Sequence, residues 1–324
     1  MAITKQVYGM AVGIALCGAV HDGFAQSYPN RPVRMLHGFA AGANVDTIAR
    51  VMSPELGRLL GQTVIVEPQA GAGGTIAAAS VARAKPDGYT LLMGTGSHSV
   101  AGALYEKLPY DTEKSFSSIS TVTFFAFAVT ASAAGRYHNL NDLVAYARAN
   151  PGRVNYGSSG SGSTNHLAGE VLAKMTNTQM VHVPYKGFAP ALTALLGGEI
   201  DFVVGSASSV LGNVKAGKMR VLAMAAPRRW SGMPDVQTSF EQGLNGYDMS
   251  SWAGLMAPAD LPRAIVERLN ADTQKVLQIA AIKTTFEELG GDPRGSTPAE
   301  MSALIASELQ RWTQVVNDAK IPKL

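Results

Sequence analysis

The 324-residue chain has a single cysteine, Cys17, so it can build neither a disulfide framework nor a cluster of thiolate metal ligands. Charge of one sign is scarce too. The 27 Lys and Arg stand against 24 Asp and Glu, and a scattered excess of +3 excludes a nucleic-acid-binding stripe. No apolar run reaches the ~18 residues of a bilayer-spanning helix. With 46% hydrophobic, 16% charged and 7% aromatic residues, the composition is that of a globular protein rather than a disordered or fibrous one. At roughly 150 residues per domain, the length suggests two domains. A pI near 8.9 leaves small anions as ligands.

The first 25 residues have the order of an export signal. Lys5 supplies positive charge, residues 7–20 are apolar, and Gly23-Phe24-Ala25 offers small residues at −3 and −1. Cleavage is expected before Gln26, with residues 1–25 as the signal peptide. Cys17 is not expected to carry lipid, because Leu16 stands where a small residue is needed. Removing 25 of the 324 residues leaves 299, with no cysteine.

Short apolar runs alternate with helical spacing along the rest of the chain. Strands are predicted at 33–36, 63–67 and 90–94, with helices at 46–60 and up to Ala84 between them. An apolar stretch at 119–130 opens a second round. Helix 140–149, strand 154–156, helix 165–175, strand 180–183, helix 190–196 and strands 200–204 and 219–225 follow. A β-rich stretch at 247–256 precedes helices at 263–280, 281–289 and 298–319. This rhythm predicts an α/β protein in which each domain is a mainly parallel sheet flanked by helices. Domain 1 is expected to be discontinuous, residues 26–125 and 253–324, with residues 126–252 forming domain 2. Two crossovers make a hinge, and strand-end loops facing each other would form an interdomain cleft.

Three polar, glycine-rich loops sit where a strand hands over to a helix or another element. In Tyr156-Gly157-Ser158-Ser159-Gly160-Ser161-Gly162-Ser163-Thr164-Asn165-His166, glycines let several N–H groups turn to one spot. The helix dipole and serine hydroxyls then make an anion site without a basic side chain. Candidate ligand-binding residues there are Ser158, Ser159, Gly160, Ser161, Gly162, Ser163, Asn165 and His166. The loop after the first strand contributes Phe39 as a pocket wall with Ala40, Ala41, Gly42, Asn44 and Asp46; Asn44 or Asp46 could instead cap the helix. The third loop, 94–99, offers Thr95, Ser97 and His98. Lys186 could counter a ligand charge or lie on a solvated turn, and Gly205 and Ser206 end the 200–204 strand.

Catalytic and cofactor patterns are missing or incomplete. There is no Gly-x-Ser-x-Gly elbow and no His-Glu-x-x-His. His166 and Glu170 lie four apart but lack a third metal ligand. Gly212-Asn213-Val214-Lys215-Ala216-Gly217-Lys218 nearly completes a P-loop, yet Met219 lacks the hydroxyl that binds magnesium. In Gly71-Ala72-Gly73-Gly74, Ile76 occupies the third glycine position of a dinucleotide fingerprint. No catalytic residue, cofactor or metal is therefore expected. The rival enzymatic scheme uses His98 or His166 as a general base.

Several motifs together carry a family resemblance. Tyr28-Pro29-Asn30-Arg31-Pro32-Val33-Arg34, Gly71-Ala72-Gly73-Gly74, Lys85-Pro86-Asp87-Gly88-Tyr89-Thr90-Leu91-Leu92, the loop 157–170 and His182-Val183-Pro184-Tyr185-Lys186-Gly187 resemble the Bug family. These are the periplasmic solute receptors of tripartite tricarboxylate transporters. Ser251-Trp252-Ala253-Gly254, Ala257-Pro258 and Arg311-Trp312 extend the resemblance over nearly all of the mature chain. It implies a two-domain periplasmic-binding-protein, or Venus-flytrap, fold that closes on a small carboxylate held by backbone N–H groups, hydroxyls and water. It also implies a periplasmic, non-enzymatic monomer that serves membrane permease subunits. A sensor kinase is the alternative partner, and the acid could be mono-, di- or tricarboxylic, including aromatic. By carry-over, residues 39–46 would meet one ligand end and residues 158–166 the other. Two departures leave the acid's identity open. Gly38-Phe39-Ala40-Ala41-Gly42-Ala43 replaces the family's Pro-Phe-Pro-Pro-Gly-Gly, with His37 in a normally aliphatic place, and Gly205 stands where the family often has an Asp or polar residue. Losing prolines loosens the loop.

Overall fold

The computed structural model describes residues 28–230, 232–318 and 321–324. The expected signal peptide, residues 1–25, and with it Cys17 lie outside the described residues. Within them, no helix is long and apolar enough to cross a membrane.

The chain opens with β1 (Val33–His37), α1 (Asn44–Leu60), β2 (Val64–Pro68), a single 3-10 turn (Ala72–Gly74), α2 (Thr75–Ala82), β3 (Thr90–Thr95), α3 (Ser97–Leu104) and β4 (Phe116–Phe125). The middle is β5 (Phe127–Ser132), α4 (Leu140–Ala149), β6 (Val154–Ser158), α5 (Thr164–Met175), β7 (Met180–Pro184), α6 (Phe188–Leu196), β8 (Phe202–Ser206), α7 (Ala207–Lys215) and β9 (Met219–Ala225). The chain then closes with β10 (Ser251–Pro258), α8 (Arg263–Leu277), α9 (Ala280–Glu288), β11 (Gly291–Pro293) and α10 (Pro298–Asp318).

Two sheets result, ordered β11-β4-β10-β3-β1-β2 and β7-β6-β8-β5-β9. Each is mixed. In the first, β10 runs antiparallel between β3 and β4; in the second, β5 runs antiparallel between β8 and β9. The short β11 is also antiparallel to β4, and the pairings β1–β2, β1–β3, β6–β7 and β6–β8 are parallel. The reversed strands are the ones by which the chain enters a sheet from the other, so the parallel expectation holds for the βα repeats and fails at the crossovers. Helices α1, α2, α8 and α10 pack on the first sheet, and α5, α6 and α7 on the second.

Local sequence explains several elements. In α1, Ile48, Ala49, Met52, Leu56 and Leu60 are buried, a spacing that lays one apolar stripe on the core. Pro54 cannot donate to the Arg50 carbonyl, and the Ser53 hydroxyl donates to it instead at 3.4 Å. Gly61 ends the helix at φ 74°, a left-handed cap suited to glycine. Every residue of β10 is buried, as a strand flanked on both sides requires.

Four expectations are corrected. The stretch 119–130 is not one element: it breaks at Ala126, and β4 and β5 enter different sheets. The loop 94–99 is short, because Ser97 already begins α3, so His98 is helical. Residues 207–215, with their run of small residues, form α7, which the sequence pattern did not suggest. The 247–256 stretch becomes strand only from Ser251.

Candidate functional site

Between the sheets, where β1, β3, β6, β7 and β8 end, lies a cavity of about 200 Å³. Such positions at the carboxyl ends of parallel strands are where open α/β sheets place ligands. Five helices begin there, since Asn44 and Val45, Ser97, Thr164 and Asn165, Phe188 and Ala189, and Ser206 with Ser209 all line it. Four of them start at residues whose side chains make no capping hydrogen bond: Ala43 for α1, Gly96 for α3, Gly187 for α6 and Ser206 for α7. Only α5 is capped, by Ser163 accepting from the His166 N–H at 3.2 Å. Uncapped helix starts leave N–H groups and partial positive charge for an anion.

Among the described residues, none of the lining side chains carries a charge. Phe39, Phe125, Phe127 and Phe188 form apolar walls with Val45 and Leu192, and Thr95, Ser159 and Ser251 add hydroxyls. Phe125 and Phe127, on either side of the crossover, stack with centroids 6.0 Å apart.

The two lobes touch around the cavity. Ser97 Oγ and Thr164 Oγ1 are 2.8 Å apart, and the Thr164 N–H donates to Ser97 Oγ at 3.3 Å. Ser208 Oγ donates to Asn44 Oδ1 at 3.2 Å. Tyr105 Oη lies 3.5 Å from the carbonyls of Ala72 and Ser161. A Cβ added to Gly73, at φ 63°, would come within 2.9 Å of the Gly162 backbone, so this close approach needs glycine.

Of the candidates from sequence, Phe39, Ala40, Ala41, Gly42, Asn44, Thr95, Ser97, Ser159, Asn165 and Ser206 lie in the cavity wall. The others do different work. Asp46 is buried and accepts hydrogen bonds from the Gly42 N–H (2.9 Å), Arg50 Nε (2.9 Å) and His37 Nε2 (2.9 Å). Burial opposes its ionisation, but the bonds from Arg50, Gly42 and His37 together outweigh burial and hold the carboxyl below its ordinary range. Burial pushes His37 down despite Asp46, so the ring is neutral, donates from Nε2 and leaves Nδ1 as an unpartnered acceptor. His37, Asp46 and Arg50 thus tie down the loop that has lost its prolines.

His98 is buried against Tyr110 and Phe116, and Nε2 donates to the Thr112 carbonyl at 2.8 Å. Burial pushes its pKa down to about 4. It faces a small space of about 20 Å³ that adjoins the main cavity at Phe39, Thr95 and Ser97. His166 accepts the Gly162 N–H on Nδ1 at 3.3 Å, stacks on His182, and is absent from the cavity wall. Ser158 is buried, bonded to His182 Nε2 at 2.7 Å, and Ser163 Oγ donates to the Gly160 carbonyl at 2.6 Å. Gly160 and Gly162 take φ of 123° and 79°, and together with Ser161 they shape the loop without lining the cavity. Lys186 is exposed, and Gly205 is covered by the Phe188 ring. The wall residues that sequence reasoning did not single out, above all Phe125, Phe127, Phe188, Leu192 and Ser251, sit on crossover strands and one helix start, where no glycine-rich motif marks them.

This fold and cleft define a two-domain solute-binding protein closed over a neutral cavity. Residues 48–321 match the tripartite tricarboxylate transporter family receptor. A protein of Pseudomonas sp. (strain P51), UPF0065 protein in the tcbD-tcbE intergenic region, is 32% identical over 313 residues, 95% of this chain and 93% of that one. Similar solved structures include the periplasmic binding protein BugD (30% identity, TM-score 0.87, 92% of this chain and 100% of that one). R. palustris Rpa4515 with adipate is 31% identical at TM-score 0.88, over 92% of this chain and 100% of its own. MatC from Rhodopseudomonas palustris with bound malate is 32% identical at TM-score 0.85, over 89% and 100%. This chain belongs to the tripartite tricarboxylate transporter receptor family, to which the sequence resemblance pointed.

Proposed function

We propose that this chain is an exported, non-enzymatic receptor that captures a small organic carboxylate between its lobes and delivers it to membrane permease subunits. The observation that carries this is the convergence of five helix starts on a cavity with no charged side chain. Such a cavity favours an anion through backbone N–H groups and helix dipoles, and among the described residues its wall has no histidine, carboxylate or lysine for acid-base work. The adipate and malate in two related structures support a carboxylate as the ligand. Residues 26–125 with 253–324 would form one lobe and residues 126–252 the other, after export directed by residues 1–25. A ligand touching both lobes stabilises the closed state by its differential affinity for it.

The test is a thermal-shift and calorimetric screen of the mature chain against mono-, di- and tricarboxylates. Saturable stabilisation by at least one acid is expected. A flat response to every acid overturns the proposal. Coupling to a sensor kinase in place of a permease would appear as kinase genes beside this one.

A further inference from the structure

Resting on that receptor function, we infer that Phe188 and Gly205 together set how long an acid the cavity accepts, the ring as an end wall and the glycine as its seat. Gly205 lies in β8, a strand paired on both sides, by β6 and by β5. Glycine weakens a strand interior, because it loses more backbone freedom on folding and packs no side chain. The backbone there does not call for it. Gly205 is extended, unlike Gly160 and Gly187, which take φ of 123° and 121°. What the position needs is the empty volume of a missing Cβ. An ideal Cβ built on Gly205 would fall 2.0 Å from Phe188 Cζ and 2.6 Å from Cε1 and Cε2, so the tip of the ring occupies that volume.

The ring stands between core and cavity. Phe188 is the first residue of α6, half-buried, and packs against the buried cluster that includes Ala191, Leu195 and Val203, while also lining the cavity. Its neighbour Gly187 lies where the lobes meet, since a Cβ added there would stand 3.6 Å from Ala40 Cβ on the loop after β1. A methyl at position 205 takes the seat from the ring. With packed core behind it, the ring yields toward the cavity and shortens it. Removing the ring lengthens the cavity at the same end. Neither change alters the helix N–H groups that hold a carboxylate, so selection by length is separable from anion binding.

The experiment is isothermal titration of the mature chain, at fixed salt and pH, with succinate, adipate, suberate, phenylacetate and 4-phenylbutanoate. The readout is the ratio of affinities for longer and shorter acids within the straight-chain or the phenyl series. In Phe188→Ala the ratio of longer to shorter should rise at least about tenfold over the wild type, and in Gly205→Ala it should fall at least about tenfold. The double variant Gly205→Ala, Phe188→Ala should return to the ratio of Phe188→Ala, because the methyl then has no ring to displace. Affinities that drop alike for every acid, with the ratios unchanged, mark the pair as structural packing; that result overturns the inference and leaves the carboxylate receptor intact. Absence of binding of all these acids to the wild type overturns the receptor function as well. Should Gly205→Ala prove unfolded by circular dichroism or too weak to titrate, the ratio in Phe188→Ala alone decides.

Discussion

The imidazole rings of His166 and His182 lie with centroids 4.0 Å apart and planes 29° from parallel, directly beneath the loop that carries Ser159, Thr164 and Asn165 into the cavity. Two charged rings could not share that stack. Burial lowers both pKa values; His166 pushes His182 down further, to about 3, while Glu170 pulls His166 the other way. Tyr156 also stacks on His182, with centroids 5.1 Å apart, and donates to Glu170 at 2.6 Å.

Acid should therefore destabilise this protein before its carboxylates titrate. In the unfolded chain these rings take up protons near the ordinary value of 6.5, whereas folded His182 does so only near 3 and His98 near 4. Across that window the unfolded state binds more protons, so stability is full above pH 6.5 and is lost as pH falls toward the folded values. Melting temperature measured from pH 7.5 to 4.5 should drop steadily. His182→Phe, which keeps a ring in the stack, should show a shallower drop; an unchanged slope would show that the pair does not titrate.

Asp46→Ala removes the acceptor of three hydrogen bonds and leaves the neutral His37 ring buried without its partner. The expected loss is about 2 kcal/mol in denaturant unfolding, in the range of bonds to a charged group. Ligand affinity should fall as well, because the freed loop carries Phe39, Ala40 and Ala41 in the cavity wall. Stability loss without any affinity loss would separate the loop from binding.

Gly73→Ala tests closure. The new methyl would meet the Gly162 backbone across the cleft, and its residue must hold φ at 63°. Backbone strain alone costs about 1 kcal/mol. The larger effect should be on closing: small-angle scattering with saturating ligand should give a larger radius of gyration than the wild type. Equal radii would mean that the loops yield without opening the lobes.

Ser97→Ala and Thr164→Val form a double-mutant cycle across the lobes. The pair bond should give a coupling of about 1 kcal/mol in ligand affinity. Additive losses would place the bond outside the closed state that the ligand stabilises.

Apart from α7, the βα repeats were legible in the sequence because a polar or small residue precedes each of their helices, as Ala43, Gly74, Gly96, Asn139, Ser163 and Gly187 do. The same glycine-rich ends announced which loops would surround the cavity. Individual roles were harder. In the 157–166 loop most serines bond the loop itself, as Ser158 and Ser163 do with the Gly160 carbonyl. Only tertiary packing decides which hydroxyl turns outward. His98 looked like a loop residue because α3 begins with Gly96-Ser97, a pair that carries no helix-start signal beyond the serine. The aromatic walls were invisible for another reason: Phe125 and Phe127 read as ordinary members of one apolar run until the break at Ala126 places them in different sheets.

That break has a mechanical meaning. A single residue separates the last rung of one sheet from the first rung of the other, so any swing of one lobe against the other would turn close to the stacked rings. A solute resting on both rings presses at the pivot, where the lever arm is shortest. A small angular change there would move atoms in proportion to their distance from it, and so most of all at the rim of the lobes. Whatever waits outside for the closed shape would read from that rim an angle set at that pivot.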